Sequence, residues 1–154
     1  MTGWRLGFTA GPLDVIKAMG RLQSHMTSNP VTFGQYAAVA ALGPEADQAI
    51  EKMRVEFEKR GKFMADRLNA IDGIQCAEPT GAFYCFPDIS AHFGRTIGGA
   101  KIADSMEFAK GLLEQANVAL VPGLPFGCSD NVRLSFACSM EHITKGLDRL
   151  EKWL

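Results

Sequence analysis

The residues of this chain that could do chemistry are few, and the most informative is an arginine on a short alternating stretch. In Asn131-Val132-Arg133-Leu134-Ser135-Phe136-Ala137, apolar Val132, Leu134 and Phe136 alternate with Arg133, Ser135 and Ala137. That period of two predicts a half-buried strand with one face in a core. The other face carries a lone guanidinium between small neighbours. Arginine is rarely buried without a partner, and a planar fork beside small side chains suits bidentate capture of a carboxylate or phosphate. The same stretch also fits an edge strand with a solvated arginine. A second arginine, Arg5, follows Thr2-Gly3-Trp4 and on local pattern alone is a surface residue at the entry to a strand.

Other reactive side chains form no constellation. Cys76, Cys85, Cys128 and Cys138 include no CxxC pair, and no histidine stands at zinc-ligand spacing from them. They read as small, reduced core residues of a cytoplasmic protein. His25, His92 and His142 are scattered and read as structural or solvated, and no metal site is expected.

The chain has 154 residues, of which 47% are hydrophobic and 21% charged, a balance that gives one ordinary domain a real core. A formal net charge of -1 without a basic stripe argues against nucleic acid as a partner. No apolar run reaches the length of a membrane span, and the N-terminus has no signal-peptide pattern.

The elements that must position the arginines follow from periodicity. Residues 6–10 predict a short buried strand, stopped by Gly11-Pro12. A helix follows over 13–26, with Val15, Ile16, Met19 and Leu22 on its apolar side, broken at Asn29-Pro30. A second helix, from 31 or 32 to 42, is apolar nearly all round and is expected to be buried on most sides. Beyond Gly43-Pro44, residues 45–71 predict one long helix whose stripe is Ile50, Met53, Phe57, Gly61, Met64, Leu68 and Ile71. At ~1.5 Å per residue it spans about 40 Å, enough to bridge two packed bodies. Asp72-Gly73 supplies a glycine C-cap.

After that the pattern changes. Residues 74–76 and 82–86 predict strands around a Pro79-Thr80-Gly81 turn, and 90–99 a loop with at most one helical turn. Residues 101–115 predict a helix with Ile102, Met106, Ala109, Leu112 and Leu113 inward. Residues 118–121 predict a strand stopped by Pro122-Gly123. Ser139 is the expected N-cap of a last helix that buries Ile143, Leu147, Leu150 and Leu154. The second half is thus a small α+β unit, whereas a single strand followed by apolar helices in the first 43 residues cannot bury itself.

Four stretches, in order, resemble the fold-type I, pyridoxal-phosphate-dependent aminotransferases, in particular the bacterial aspartate/aromatic group. They are Met1-Thr2-Gly3-Trp4-Arg5-Leu6-Gly7-Phe8; Gln23 to Pro30 with Gln35-Tyr36-Ala37-Ala38; Pro79 to Pro87; and Val121-Pro122-Gly123, Phe126-Gly127 and Val132 to Ala137. The resemblance covers essentially the whole chain. It implies an α/β fold made of the end of a large domain (1–43), a connecting helix (44–72) and an α+β C-terminal small domain (73–154).

The resemblance also implies roles. Arg5 matches the arginine that pairs with the phosphate of pyridoxal 5'-phosphate, a task for a fixed bidentate guanidinium. Arg133 matches the arginine that clamps the substrate α-carboxylate, which orients the substrate over the cofactor. The Thr27-Ser28-Asn29-Pro30 loop sits, in that family, near the partner subunit's site. Phe126 and Phe136 are expected in the core rather than against substrate. The implied partners are an amino acid, a 2-oxo acid and a second copy of the chain, in the cytoplasm.

One departure matters. The family's Schiff-base lysine lies a few residues before the stretch that begins here at Met1, and the aspartate at the pyridine nitrogen also lies upstream. Lys17, Lys52, Lys59, Lys62, Lys101, Lys110, Lys145 and Lys152 do not stand in that motif. The expectation is a C-terminal portion of an aminotransferase, inactive alone and without covalently bound cofactor. Two other readings stay open: a free-standing non-catalytic binding or assembly module, and a portion of a related pyridoxal-phosphate lyase or synthase.

Overall fold

The computed structural model describes the backbone of residues 1–154 and every side chain except that of Thr2. The chain forms two compact units, Met1–Lys52 and Met53–Leu154, and the division falls within one helix.

The first unit is helical. A 3-10 turn, Thr2–Trp4, leads to Arg5, whose φ of 54° is left-handed. Residues 6–10, expected as a strand, are irregular. Among the described residues nothing pairs with them, and a strand without a ladder partner leaves its backbone groups to water. Helix α1 (Leu13–Met26) starts after Pro12, which is preset for a helix entry. Helix α2 (Thr32–Ala41) follows the Asn29-Pro30 break, and Gln35 Nε2 donates to the Pro30 carbonyl at 2.7 Å. The expectation that α2 is covered on most sides is overturned. Only Gly34 is buried, while Phe33, Tyr36 and Val39 are 66%, 77% and 73% exposed. Two helices and a turn supply too little surface to cover both apolar faces.

Helix α3 (Asp47–Asn69) is shorter than expected, at about 34 Å. A 3-10 turn, Pro44–Ala46, replaces its first residues. Only the C-terminal half of its stripe is covered. Gly61, Met64 and Leu68 are buried, with Ile71 beyond the helix, whereas Ile50 and Met53 are about half exposed.

The second unit holds the core. A three-stranded antiparallel sheet has the order β1 (Tyr84–Cys85), β5 (Val132–Ser135), β4 (Val121–Pro122). β5 is therefore central, and the edge-strand alternative for the Arg133 stretch is excluded. Tyr84 lies opposite Ser135, and Val121 opposite Arg133. Val132 and Leu134 enter the core with Phe136. The loop expected over 90–99 contains a tight hairpin, β2 (Thr96–Ile97) and β3 (Ala100–Lys101). Its Gly98-Gly99 turn has φ of 56° and 83°, which two glycines adopt without strain.

Helix α4 (Ser105–Ala116) starts later than expected, because the Asp104 carboxylate caps it, accepting from Met106 N at 2.8 Å and Glu107 N at 3.0 Å. Its buried face is Ser105, Phe108, Gly111 and Leu112, while Met106 and Leu113, expected inward, are about half exposed. Helix α5 (Met140–Trp153) is as predicted. Ser139 caps it, and Ile143, Leu147 and Leu150 are buried. Leu154 is partly buried against the same core.

Cys76 and Cys85 are buried in the core and Cys138 is partly buried against it; Cys128 is exposed, which corrects the expectation for that residue. The neighbouring Cys76 sulfur, and then burial, push the Cys85 thiol far up, which favours its protonated form. His92 is buried, as a structural histidine is, and its Nδ1 accepts from Arg95 Nη1 at 2.7 Å.

Candidate functional site

The second unit places Arg133 on the central strand, on the face opposite Val132 and Leu134. Antiparallel pairing puts side chains of directly opposed residues on one face and brings diagonal neighbours within reach of long side chains. Tyr84, opposite Ser135, thereby shares the face of Arg133. The Arg133 guanidinium carbon lies 4.4 Å from the centroid of the Tyr84 ring and 4.7 Å from that of Phe126. No carboxylate among the described residues pairs with it, and its side chain is half-buried.

The rings have their own supports. Tyr84 packs on Phe83 at 4.5 Å between centroids, and Phe83 on Phe57 at 5.9 Å. Phe126 meets Phe86 edge-to-face at 6.1 Å. Phe126 belongs to a 3-10 turn, Leu124–Phe126, closed by Phe126 N donating to the Gly123 carbonyl at 2.8 Å. The end of the β5 strand is held as well: Arg60 donates to the Cys138 carbonyl at 2.7 Å and pairs with Glu56 at 2.9 Å.

Phe136 is a core residue as expected, but Phe126 is 48% exposed and lies against the arginine. Tyr84 and Phe126 are thus the neighbours that the sequence did not reveal. The missing information was the long-range register of β1 on β5; the Phe83-Tyr84 pair and the Pro122-Gly123 stop were its only local signs. A separate cleft of about 380 Å³, lined by Phe57, Pro79, Gly81 and Phe136 among others, does not include Arg133.

Arg5 lies in the first unit, exposed, and has no hydrogen bond or ion pair among the described residues. No group of acids, histidines and cysteines among the described residues could hold a metal ion. Both arginines are therefore cations with open donors, one held by rings and one at a backbone position that side chains seldom adopt.

This fold is a portion of the fold-type I pyridoxal-phosphate-dependent transferases. Residues 1–150 match the model of the aminotransferase class I and II family, and the chain belongs to that family. It is 47% identical to an aspartate aminotransferase of Geobacillus stearothermophilus over 155 residues, and 45% identical to an aspartate/prephenate aminotransferase of Cereibacter sphaeroides over 153. These alignments cover 100% and 98% of this chain and 38% of each relative. Among solved structures, an aspartate aminotransferase from Rhizobium meliloti superposes with a TM-score of 0.82 at 40% identity, over 99% of this chain and 38% of that one. An aromatic aminotransferase from Pyrococcus horikoshii gives 0.80 at 38% identity, over 99% and 39%. The chain thus spans well under half the length of the relatives it matches.

The family uses pyridoxal phosphate. The donor set in this chain fits one part of that cofactor: an unpaired guanidinium at Arg5 suits its phosphate dianion.

Proposed function

We propose that this chain supplies two anion-binding arginines to a pyridoxal-phosphate aminotransferase, which exchanges an amino group between an amino acid and a 2-oxo acid. The observation that carries the proposal is Arg133, a guanidinium on a central strand, held by two rings and without a carboxylate partner among the described residues. Such a group is prepared to take an incoming carboxylate in a fixed direction. Arg133 binds the α-carboxylate and orients the substrate. Arg5 pairs with the cofactor phosphate and anchors it. When bound, pyridoxal phosphate supplies the electron sink that carbanion chemistry at the substrate α-carbon needs. The same reading takes the whole protein as a cytoplasmic homo-oligomer, with segments 1–43, 44–72 and 73–154 serving as the end of its large domain, connector and small domain. The relatives named for aspartate make aspartate with a 2-oxo acid the first pair to assay.

The test replaces the matched part of the Geobacillus stearothermophilus enzyme with this chain and measures transamination. Arg133→Ala should raise KM for the amino acid about tenfold or more, since a hydrogen bond to a charged group contributes about 1.5–3 kcal/mol, and should leave cofactor affinity nearly unchanged. Arg5→Ala should loosen the cofactor first. Equal loss of cofactor in both variants, with an unchanged KM, would sink the assignment.

A further inference from the structure

Arg133 is held by ring faces where an acid would be the ordinary partner. The two kinds of hold leave different things free. A carboxylate occupies the N–H donors that lie in the guanidinium plane. An aromatic ring attracts the cation through its face and uses none of those donors. The contacts of 4.4 Å to Tyr84 and 4.7 Å to Phe126 therefore restrain the group while its in-plane donors stay available.

Each ring is fixed before any ligand is considered. Tyr84 is tied by strand pairing opposite Ser135 and by its contact with Phe83. Phe126 is tied by Phe86 and by the hydrogen bond of its turn to Gly123. Phe126 is 48% exposed, and its ring touches both Phe86 and the arginine. A loose arginine would have to be ordered when its ligand arrived, at a cost in side-chain entropy that a pre-held one has already met.

We propose that Tyr84 and Phe126 are positioning residues that fix the plane of the Arg133 guanidinium before a carboxylate arrives. The inference rests on the reading of Arg133 as a carboxylate-binding residue, and the two are tested separately.

The first measurement uses the 154-residue chain without ligand. The side-chain Nε–H signal of Arg133, identified by its loss in Arg133→Lys, should be displaced by the rings and should exchange with water more slowly than those of exposed arginines. Phe126→Leu and Tyr84→Leu should each move it to the position of a free arginine, while Phe126→Tyr and Tyr84→Phe keep it in place. Phe126 is half exposed, so Phe126→Leu keeps the fold; it decides alone if Tyr84→Leu disturbs the backbone spectrum. An Arg133 signal unchanged in Phe126→Leu overturns the proposal.

The second measurement uses the spliced enzyme described above. Phe126→Leu should raise KM for the amino acid about fivefold with unchanged cofactor affinity, and Phe126→Tyr should restore it. An unchanged KM in Phe126→Leu, in an enzyme whose Arg133→Ala variant has a raised KM, overturns the positioning role. An unchanged KM in Arg133→Ala, with ring-dependent signals as expected, overturns the carboxylate reading and leaves the ring hold standing.

Discussion

The amide of Gly123 donates to the carbonyl of Asn131 at 2.8 Å, and a Cβ on Gly123 would collide with that same oxygen and with the Cys128 carbonyl. The backbones of the turn before Phe126 and of the entry to β5 are therefore in direct contact. Only a residue without a side chain permits it. The contact sets the distance between the turn that carries Phe126 and the strand that carries Arg133.

Gly123→Ala should act on both stability and site. Forcing a methyl between two carbonyls costs about 1–3 kcal/mol, as overpacking does. Urea unfolding should show a lower midpoint, and the Arg133 side-chain signal should lose its displacement by Phe126. A variant as stable as the parent with that signal intact would mean that the turn tolerates a shift the geometry forbids.

Legibility in the sequence followed the range of the interactions. Helix α5 was plain because a serine cap and three inward residues repeat at helical spacing, all within one segment. Helix α4 is legible, but its face is not: the apolar pattern extends over residues 101–103, before the Asp104 cap, and so points Met106 and Leu113 inward in place of Phe108. The β2–β3 hairpin escaped because two-residue strands are too short to show alternation, although Gly98-Gly99 is a hairpin signature. Arg133 was legible from its own strand. Its two rings were not, because they arrive from residues 49 and 7 positions away in the chain through strand register and a turn. The apolar faces of α1 and α2 are legible as apolar, but apolarity does not say what covers a surface.

His92 should make the chain less stable in mild acid. Burial, then the charge of Arg95, lowers its pKa below the ordinary imidazole value; the charge and carbonyl of Asp72 oppose this without reversing it. The unfolded chain, with a pKa of about 6.5, binds the proton more readily than the folded one. The stability from this group is complete above that value and is lost as pH falls through it toward the lower folded value. Unfolding midpoints at pH 7.5 and 5.5 should differ less in His92→Gln than in the parent; equal differences would remove His92 as the cause.

Asp104→Ala should cost about 0.5–2 kcal/mol, because two amides of the first α4 turn lose their acceptor. Asp104→Asn retains a capping oxygen and should stay close to the parent. Thermal melts of the three proteins distinguish loss of the cap from a general effect of charge, which would affect both variants alike.

Thiol reactivity should separate the cysteines by burial. Cys128 is exposed, and Cys76 and Cys85 are buried, with Cys85 held protonated. The thiolate is the reactive form. An aromatic disulfide reagent should therefore modify Cys128 rapidly in the native chain, and Cys76 and Cys85 only in denaturant. Rapid native labelling of Cys85, located by peptide mapping, would contradict the packing of β1.

The chain should self-associate through its first 43 residues. α1 contains no buried residue and α2 only Gly34, so two consecutive helices present apolar side chains to water. Phe33, Tyr36 and Val39 on α2 and Leu42 just after it are 66%, 77%, 73% and 70% exposed, and Leu22 and Met26 on α1 are 62% and 73% exposed. Contiguous apolar patches of this kind are uncommon on soluble monomers. The unit Met53–Leu154, by contrast, contains all 18 buried hydrophobic residues found among the described residues. Closed two-fold contacts are the commonest way for identical chains to cover such a surface. Light scattering after size exclusion should give a dimer or larger species for the 154-residue chain at high micromolar concentration. Removal of residues 1–43 should shift the mass toward the monomer, and Phe33→Lys with Val39→Lys should do the same in the full chain. A clean monomer of the full chain, with residues 1–43 resistant to proteolysis, would show that the apolar faces find cover within one molecule.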